Sequence, residues 1–390
     1  MIRLIGVCCS VTTLAGCFLT TPLDGFAGSD PASDERSTNG GAASTDGTRD
    51  AGASPAPDDP STAPSCTADL RSDPHNCGRC GRDCAGGSCN AGACAPVVIA
   101  SSLSLPKGLA VDGVSVYWGA GNAVQSCPRT GCGSGPRQLA VINPTPDGLA
   151  VSNGTLFFAA VDTVYTCPVT GCGSTPTAFV ARPAAKDVVV DATRVYFNSA
   201  STDGKILSCP LSGCGAGPSA IVVGQTYPVG FAITGTKVFF PSGVSGGGIY
   251  ACALGGCGAT PTPVAEKQSF PGAVAVGGGN VYWLQDTDSA YVTSCPVTGC
   301  TGAPTVVAGG QYYPAAIVAD ETAVYWTTRG AGTTAGSVKR CSTRGCGPEG
   351  PEVVISGLVM PTHLVVDATT VYVLDRGADF TTGRVLRVAK

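Results

Sequence analysis

The chain has 390 residues and a formal net charge of −4, with 55 Gly, 29 Pro and only 13% charged residues. It lacks a basic stripe that could neutralise phosphates, which argues against a nucleic-acid-binding protein. Val, Thr, Tyr and Phe recur in short runs between Gly and Pro, while Glu, Lys and Gln are scarce. This balance favours many short β-strands joined by turns.

The first 16 residues are typical of an export signal. Residues 1–3 include the cation Arg3, and residues 4–15 form an apolar stretch that is too short for a permanent membrane span. The stretch leads into the sequence LAGC at residues 14–17, which resembles the lipobox of bacterial lipoproteins. The resemblance implies cleavage before Cys17 and diacylation of its thiol. The alternative is an ordinary secretory signal that is cut elsewhere.

The residues after the lipobox indicate where the protein is located and how it is tethered. Phe18, and not Asp, follows Cys17, which by the sorting pattern of such lipoproteins implies the outer membrane, at its periplasmic face or the cell surface. Residues 17–65 consist mostly of Ser, Thr, Gly, Ala, Pro and Asp, and they cannot bury enough apolar surface to order themselves. They are predicted to form a disordered linker that reaches about 40 Å from the anchor.

The cysteine count indicates an oxidising compartment, because 21 Cys would be hazardous in a reducing cytoplasm. Cys8 and Cys9 leave with the signal, and Cys17 carries the lipid. The 18 cysteines that remain are an even number, as expected for a fully oxidised exported protein.

Residues 66–95 form a cysteine-rich unit that is too short to build a core, so cross-links must hold it. Its run DPHNCGRCG at residues 73–81 resembles the cysteine-rich repeat of stigma-specific Stig1-type proteins, which also recurs in bacterial surface lipoproteins. Disulfides are the favoured interpretation, and a zinc knuckle that uses His75 is the alternative. The cysteines are Cys66, Cys77, Cys80, Cys84, Cys89 and Cys94, and their pairing stays open.

Residues 96–390 repeat an apolar strand, usually led by Pro, seven times. Successive copies start 39 to 47 residues apart, at residues 106, 146, 185, 228, 271, 314 and 361. An aromatic strand such as VYW at residues 116–118 follows each copy. A third strand then ends in Cys-x4-Cys in six of the copies, and a fourth apolar run follows. Four short strands per repeat predict a β-propeller with seven blades.

The seventh repeat stops after its third strand, at residues 383–388. Residues 97–103 match the fourth strand of the sixth repeat. This N-terminal strand is therefore predicted to complete the last blade and to remove an open sheet edge. The rhythm LAVD…VYW resembles that of YWTD and NHL-type propellers, a likeness of fold that says little about function.

The Cys-x4-Cys segments are predicted to be disulfide-closed turns whose thiols face each other across adjacent strands. Pro sets φ at the start of such a turn, and Gly permits a positive φ near its end. A metal site would need two further ligands for each pair, and none recurs with the motif. The pairs are Cys127/Cys132, Cys167/Cys172, Cys209/Cys214, Cys252/Cys257, Cys295/Cys300 and Cys341/Cys346.

Two further sets of residues have structural interpretations. Asp residues that end four of the first strands can accept hydrogen bonds from backbone N–H groups two residues on, and so cap turns. They are Asp112, Asp191, Asp320 and Asp367. Trp118, Trp283 and Trp326 end aromatic strands and are predicted to pack between blades.

The candidate ligand site is the mouth of the central channel, surrounded by the segments that lead into first strands and by the loops after second strands. The candidates there are Lys107, Asp147, Lys186, Asp187, Asp286, Arg329, His363, Asp375 and Arg376. The alternative is a solvated funnel with incidental charges. A calcium site stays open as an alternative, because carboxylates for it are present at Asp286, Asp288, Asp375 and Asp379. No other metal or cofactor is expected.

Because the chain has only two histidines, it offers no catalytic constellation of the usual kind. The leading hypothesis is a monomeric, lipid-anchored scaffold at the cell envelope that presents one propeller face to a protein or a glycan. The alternative is a propeller enzyme, such as a metal-dependent lactonase or a polysaccharide lyase, with carboxylates and His363 at the channel. A structural envelope protein without a specific ligand is the third hypothesis.

Overall fold

A computed structural model describes residues 67–160, 162–181, 184–199, 204–285, 290–330, 335–379 and 381–390. The predicted signal, lipobox and linker lie outside the described residues, as do Cys66 and Asp286. Strands and turns make up these ranges, which contain no helix. Accordingly, no helix within them is long and apolar enough to cross a membrane.

Three strands precede the first blade. They are β1 (Cys89–Asn90), β2 (Ala93–Cys94) and β3 (Val97–Leu103). Blade 1 contains β4 (Lys107–Val111), β5 (Ser115–Ala120), β6 (Ala123–Pro128) and β7 (Arg137–Val141). Blade 2 contains β8 (Leu149–Ser152), β9 (Thr155–Ala160), β10 (Thr163–Pro168) and β11 (Thr177–Ala181). Blade 3 contains β12 (Val188–Val190), β13 (Arg194–Ser199), β14 (Gly204–Pro210) and β15 (Ser219–Gln225).

The remaining blades repeat this order of four antiparallel strands. Blade 4 contains β16 (Ala232–Thr234), β17 (Lys237–Pro241), β18 (Ser245–Ala253) and β19 (Thr262–Ser269). Blade 5 contains β20 (Pro271–Gly277), β21 (Asn280–Gln285), β22 (Ala290–Pro296) and β23 (Thr305–Gln311). Blade 6 contains β24 (Pro314–Ala319), β25 (Ala323–Thr328), β26 (Gly336–Ser342) and β27 (Glu352–Leu358). Blade 7 contains β28 (Pro361–Val366), β29 (Thr370–Asp375) and β30 (Gly383–Ala389).

The N-terminal strand β3 supplies the fourth strand of blade 7. The sheet order there is β28-β29-β30-β3, and β3 pairs antiparallel to β30 with Val97 opposite Arg387. The structure thus confirms a seven-bladed propeller whose last blade is closed by the start of the domain. Closure of this kind joins the two ends of the ring and leaves neither as an unpaired edge.

The aromatic strands fill the spaces between blades. Trp118, Trp283 and Trp326 are fully buried, which confirms their predicted packing role. Trp118 of blade 1 packs with Leu374 and Val385 of blade 7 in one apolar cluster. Truncation of such a side chain to Ala removes about 3–5 kcal/mol of folding free energy. The second strands therefore hold neighbouring blades together.

The Asp-capped turns confirm the interpretation made from the sequence. Asp112 accepts hydrogen bonds from the backbone N–H groups of Val114 (2.8 Å) and Ser115 (2.7 Å) through Oδ1. Its Oδ2 accepts a third from the Tyr117 hydroxyl at 2.7 Å. Asp191, Asp320 and Asp367 accept the same pair of backbone bonds in blades 3, 6 and 7.

Each of the six Cys-x4-Cys pairs forms a disulfide, as predicted. The prediction that the two thiols face each other across adjacent strands is wrong. The first cysteine of each pair lies in the third strand of its blade, but the second lies in the loop before the fourth strand, because the four intervening residues are already used for the turn. These half-buried loop cysteines are Cys132, Cys172, Cys214, Cys257, Cys300 and Cys346.

The loop of the second cysteine contacts the fourth strand of the blade before it. The Cys132 N–H donates to the Ile99 carbonyl of β3 at 3.2 Å, and the Cys172 N–H donates to the Leu139 carbonyl of β7 at 2.8 Å. Each of these hydrogen bonds joins a disulfide loop to the neighbouring blade.

Similar contacts recur further around the ring. The Cys300 N–H donates to the Val264 carbonyl of β19 at 3.1 Å. In blade 3, Cys214 packs against the same apolar cluster as Phe179 and Val180 of β11, and its carbonyl accepts from the Gly217 N–H within its own loop at 2.8 Å. Each short disulfide therefore stiffens a loop that lies between two blades.

The cysteine-rich unit packs against blades 6 and 7. Two of its disulfides are Cys77–Cys89 and Cys84–Cys94, and Cys80 is disulfide-bonded as well. The sulfurs of Cys77, Cys84 and Cys94 lie within 4.8 Å of one another, as metal ligands would. Each belongs to a disulfide, however, and is not the thiolate that zinc binds. Arg82 fastens the unit by donating from Nε to the Lys390 carbonyl at 3.0 Å.

Candidate functional site

The two ends of the propeller are built from different segments. We call one end the mouth face; it consists of the segments that lead into first strands and the loops after second strands. The other end, the disulfide face, consists of the Asp-capped turns and the Cys-x4-Cys loops. A cavity of about 490 Å³ opens at the centre of the mouth face. A volume of this size is typical of small-ligand sites.

The cavity wall contains backbone that is not paired in the sheets. β20 and β24 shift register between Pro271 and Val274 and between Pro314 and Ile317. Such bulges leave residues outside the ladder and are common beside binding sites. The bulged residues Gly272, Ala273, Ala315 and Ala316 line the cavity. Their small side chains fill little of the cavity, and the Ala316 N–H donates to the Thr327 hydroxyl at 3.0 Å.

Blades 1 to 3 place a charged network on the mouth face. Asp147 accepts from Lys107 Nζ at 2.6 Å and from Lys186 Nζ at 2.9 Å. Burial opposes ionisation of Asp147, but the hydrogen bonds from the two ammonium groups outweigh it and lower the pKa of the carboxyl. The structure therefore brings together three of the predicted residues, and they neutralise one another in part.

Asp187 lines the cavity and is held by a buried amide. Its Oδ2 accepts from the Gly230 N–H at 2.8 Å and from Asn198 Nδ2 at 2.7 Å. Asn198 is fully buried, and its Oδ1 accepts from the backbone N–H groups of Lys186 and Asp187. Burial raises the pKa of Asp187. Sequence reasoning missed Asn198, although it is the only amide that directly follows the aromatic residues of a second strand.

His363 lines the same cavity as a neutral imidazole. Burial lowers the pKa of His363 to about 4, so the ring carries no charge at neutral pH. Its Nε2 accepts from the Gly108 N–H at 3.2 Å, and its Nδ1 lies 3.1 Å from the Thr362 hydroxyl. Both ring nitrogens are therefore engaged by neighbouring groups.

Asp375 does not line the cavity. Its side chain is fully buried and accepts hydrogen bonds from the Met360 N–H at 2.7 Å and from Arg384 Nη2 at 2.9 Å. Asp379 is exposed, and its Oδ1 accepts from the backbone N–H groups of Thr381 and Thr382. The carboxylates of Asp375 and Asp379 each bind their own backbone N–H groups and do not form the shared set of ligands that a cation site needs.

Two arginines occupy equivalent places on blades 6 and 7. Arg329 follows β25, lines the cavity, and donates its backbone N–H to the Tyr312 carbonyl at 3.1 Å. Arg376 follows β29 and donates its backbone N–H to the Met360 carbonyl at 2.9 Å. Among the described residues, neither guanidinium has an ion pair or a side-chain hydrogen bond.

Three aromatic residues that sequence reasoning missed stand on the mouth face. Tyr227, Phe270 and Tyr313, which we call the rim aromatics, are 45%, 46% and 42% exposed. Each immediately precedes the Pro that leads into the first strand of blade 4, 5 or 6. Tyr312, next to Tyr313, is 42% exposed, and the two rings meet edge to face at 5.2 Å.

The backbone of the rim aromatics is strained. Their φ angles are +49°, +43° and +44°, a region that few non-glycine residues adopt. A residue before proline also prefers an extended backbone. Such strain costs about 1–3 kcal/mol per residue. It is a property of the turn, because Leu105 and Ala184 at the equivalent position of blades 1 and 3 have φ angles of +44° and +51°. The sequence did contain a signal for the rim aromatics, because three of the seven copies have an aromatic residue at this position. The other copies have Leu105, Thr145, Ala184 and Met360.

A larger cavity, of about 680 Å³, lies on the disulfide face beside the cysteine-rich unit. Its charged residues are largely paired: Arg340 Nε donates to Glu352 at 2.7 Å, and Lys390 pairs with Asp320. Its one aromatic residue, Tyr325, is buried. This cavity therefore lacks the exposed rings that distinguish the mouth face.

Solved propellers match the fold of this chain at low identity. Virginiamycin B lyase from Staphylococcus aureus is 13% identical, with a TM-score of 0.58 over 76% of this chain and 98% of that one. YCF48 bound to D1 peptide is 8% identical, with a TM-score of 0.55 over 76% and 96%. The WD40 propeller domain of Doa1 is 9% identical, with a TM-score of 0.54 over 76% and 97%. No family model and no curated protein matches the chain.

Proposed function

We propose that this chain is an exported, lipid-anchored propeller that binds a protein or glycan ligand through its mouth face. The observation that supports this proposal is the row of rim aromatics on blades 4 to 6, beside an open cavity. Exposed aromatic side chains lose little conformational entropy when they are covered, and they are enriched among residues that dominate binding energy. The turn with a positive φ recurs at Leu105 and Ala184, but only blades 4 to 6 place an aromatic side chain on it.

The cavity supports the same proposal, because it offers polar contacts next to these rings. Its wall combines bulged backbone with Asp187, His363 and Arg329. Binding sites commonly pair apolar surface with a few polar groups that orient the ligand. Of the three named neighbours, YCF48 is bound to the D1 peptide, and virginiamycin B lyase is a lyase. Their low identity leaves the choice of ligand to the residues of this chain.

The binding test uses full-length protein in detergent micelles on an array of polysaccharides and envelope proteins. The rim variant, Tyr227→Ala/Phe270→Ala/Tyr313→Ala, is expected to lose retention of whatever the wild type binds. Val114→Ala is the control, since Val114 is an apolar residue that is 74% exposed on the disulfide face. Equal retention of wild type and rim variant, or no retention of either, would contradict the proposal.

Membrane anchoring is the second part of the proposal and rests on the sequence LAGC at residues 14–17. A diacylated Cys17 would hold the protein stably, since two acyl chains anchor where one is marginal. Residues 18–65 would then serve as the linker between the outer membrane and the propeller. The Cys17→Ser variant is expected to lose radioactive palmitate and to leave the membrane fraction. Retention of both by the variant would exclude lipidation at this residue.

The enzyme alternative depends on His363, because its imidazole lines the cavity. A general base must reach the proton that it abstracts, yet both nitrogens of His363 are engaged and Asp375 is buried elsewhere. A His363→Gln variant decides between the two hypotheses. Loss of a lyase or lactonase activity with ligand binding unchanged would favour the enzyme. Unchanged binding in the absence of any such activity would favour the scaffold.

A further inference from the structure

We infer that the ligand of the mouth face is an acidic glycan, whose sugar rings stack on the rim aromatics while a uronate carboxylate pairs with Arg329. This inference rests on the proposed function and names the chemical class of its ligand. It follows from the juxtaposition, on blade 6, of the exposed Tyr313 ring and the Arg329 guanidinium at the wall of one cavity. Among the described residues this guanidinium has no partner.

The backbone of Arg329 is joined to the aromatic segment. Its backbone N–H donates to the carbonyl groups of Tyr312 (3.1 Å) and Tyr313 (3.3 Å). Arg329 and these rings therefore form one unit that would contact a ligand together. A planar guanidinium presents its donors in a fork that matches a carboxylate, and such charge-assisted hydrogen bonds are about twice as strong as neutral ones.

Among the described residues, the distribution of charge around the cavity favours an anion on the side of blade 6. On blades 1 and 2 the ammonium of Lys107 is paired with Asp147, and on blade 3 Lys186 contacts the same carboxylate. Asp187, the acid that lines the cavity, belongs to blade 3, on the other side of the ring from blade 6. Arg376 adds a second guanidinium without a partner among the described residues, on the blade next to Arg329.

The cavity wall favours a glycan over an acidic peptide. The bulges at the starts of β20 and β24 leave backbone groups of Gly272, Ala273 and Ala315 outside the sheet ladder. Sugar hydroxyl groups can both donate to and accept from such groups, and the apolar faces of sugar rings can cover aromatic rings. A peptide partner would instead need a contiguous apolar core with few charges. Here the rim aromatics sit on three separate blades beside charged residues.

The test measures binding of the full chain to polymers that carry sugar rings, carboxylates or both. Polygalacturonate and alginate carry both sugar rings and carboxylates. Fully methyl-esterified polygalacturonate keeps the rings without the charge, and polyglutamate keeps the charge without the rings. The wild type is expected to bind at least one uronate polymer about tenfold more tightly than either control polymer, which corresponds to about 1.4 kcal/mol.

Two arginine variants test whether Arg329 at the mouth face is the residue that recognises the carboxylate. Arg329→Gln is expected to weaken uronate binding about tenfold without affecting binding of the methyl ester. The matched control is Arg344→Gln, which removes the same charge from an exposed residue of blade 6 on the disulfide face. Thermal unfolding of both variants should match that of the wild type, because neither guanidinium holds a partner among the described residues.

Three results would overturn the inference. Equal binding of acid and ester, or equal effects of the two arginine variants, would show that the carboxylate is not recognised. Binding of polyglutamate as tight as that of polygalacturonate would point to an acidic peptide. If the rim variant loses a neutral glycan or a protein from the array while no uronate binds, this inference fails and the proposed function stands. If nothing depends on the rim aromatics, both fail.

Discussion

The mouth face and the disulfide face of the same seven blades differ in how far each blade repeats the next. On the disulfide face, four blades carry the same Asp-capped turn and six carry the same disulfide loop. On the mouth face, blades 1 to 3 carry a charged network, and blades 4 to 6 carry exposed aromatics. A feature that repeats in most blades stabilises the ring as a whole, whereas a feature confined to a few neighbouring blades makes one part of a face chemically distinct.

The first prediction concerns a mouth-face residue that we expect to be structural. Asp375→Ala would leave Arg384 and the N–H of Met360 without their buried acceptor. We expect a loss of about 3–5 kcal/mol in the free energy of unfolding, the size found when one partner of a buried ion pair is removed. Urea unfolding followed by tryptophan fluorescence measures it.

The control for this prediction is Asp147→Ala, because the ion pairs of Asp147 are partly exposed. We expect this variant to lose about 1 kcal/mol or less. Equal losses in the two variants would mean that burial does not distinguish the two carboxylates. The division of mouth-face residues into structural and ligand-facing sets would then be wrong.

The second prediction concerns the disulfide face. Replacing Cys167 and Cys172 together by Ala removes one loop closure and should lower the free energy of unfolding by about 2 kcal/mol. Ligand binding should stay the same, because the loop contacts blade 1 and lies away from the mouth. A variant that keeps its stability and loses ligand binding would reverse the roles assigned to the two faces.

The third prediction compares the two histidines, one in each region. The pKa of His363 at the mouth is about 4, lowered from 6.5 by burial, whereas the exposed His75 has a pKa raised by its hydrogen bond to Asp83. Between about pH 4 and 6.5 the unfolded chain therefore binds more protons at His363 than the folded chain does. Stability from His363 is complete above pH 6.5 and falls as the pH drops, by up to about 1.4 kcal/mol per pH unit.

Imidazole resonances in an NMR titration test this directly, since the chain has only these two histidines. One resonance should titrate above 6.5 and the other near 4. A His363→Gln variant should lose the lower titration and flatten the fall in stability below pH 6.5. If both resonances titrate near 6.5, His363 is solvated, and the cavity is more open than the structure shows.

The smallest expected effect concerns the strain of a rim aromatic. Gly adopts a positive φ without a steric cost, so Tyr313→Gly should not reduce the free energy of unfolding and could raise it by up to about 1 kcal/mol. The same variant should weaken ligand binding. The comparison is with Tyr325→Gly, a buried tyrosine of the same blade, which should lose several kcal/mol. A loss above about 1 kcal/mol in Tyr313→Gly would show that its ring is part of the packing.

The fold could be predicted because the sequence repeats four short strands in each copy, which is typical of a propeller blade. The match of residues 97–103 to the fourth strand of the sixth repeat predicted the closure by β3, since one strand position was empty. Lys107, Asp147 and Lys186 could be placed together because equivalent positions of neighbouring repeats meet in a ring.

Burial and backbone conformation limited the prediction of the site. Asp375 was expected at the channel, but Arg384 of the neighbouring strand and the N–H of Met360 bury it, and such contacts depend on the register of β29 and β30. The exposure of Tyr313 depends on a positive φ that residue type alone does not predict.

The placement of the disulfides was predicted only in part. Spacing identified the partners, because four residues lie between the two cysteines in every pair. It could not show that Cys214 and Cys300 lie in loops and not in strands, since that depends on where the fourth strand starts to pair with the third.

The most direct test of a recognition surface at the mouth face is amide hydrogen exchange, with and without saturating amounts of the glycan or protein that the array identifies. We expect the ligand to slow exchange in the mouth-face segments at 226–231, 270–274 and 312–317, and to leave the disulfide loops at 128–133 and 168–173 unchanged. Slower exchange confined to the disulfide loops would contradict the account, because the repeated face would then be the one that binds.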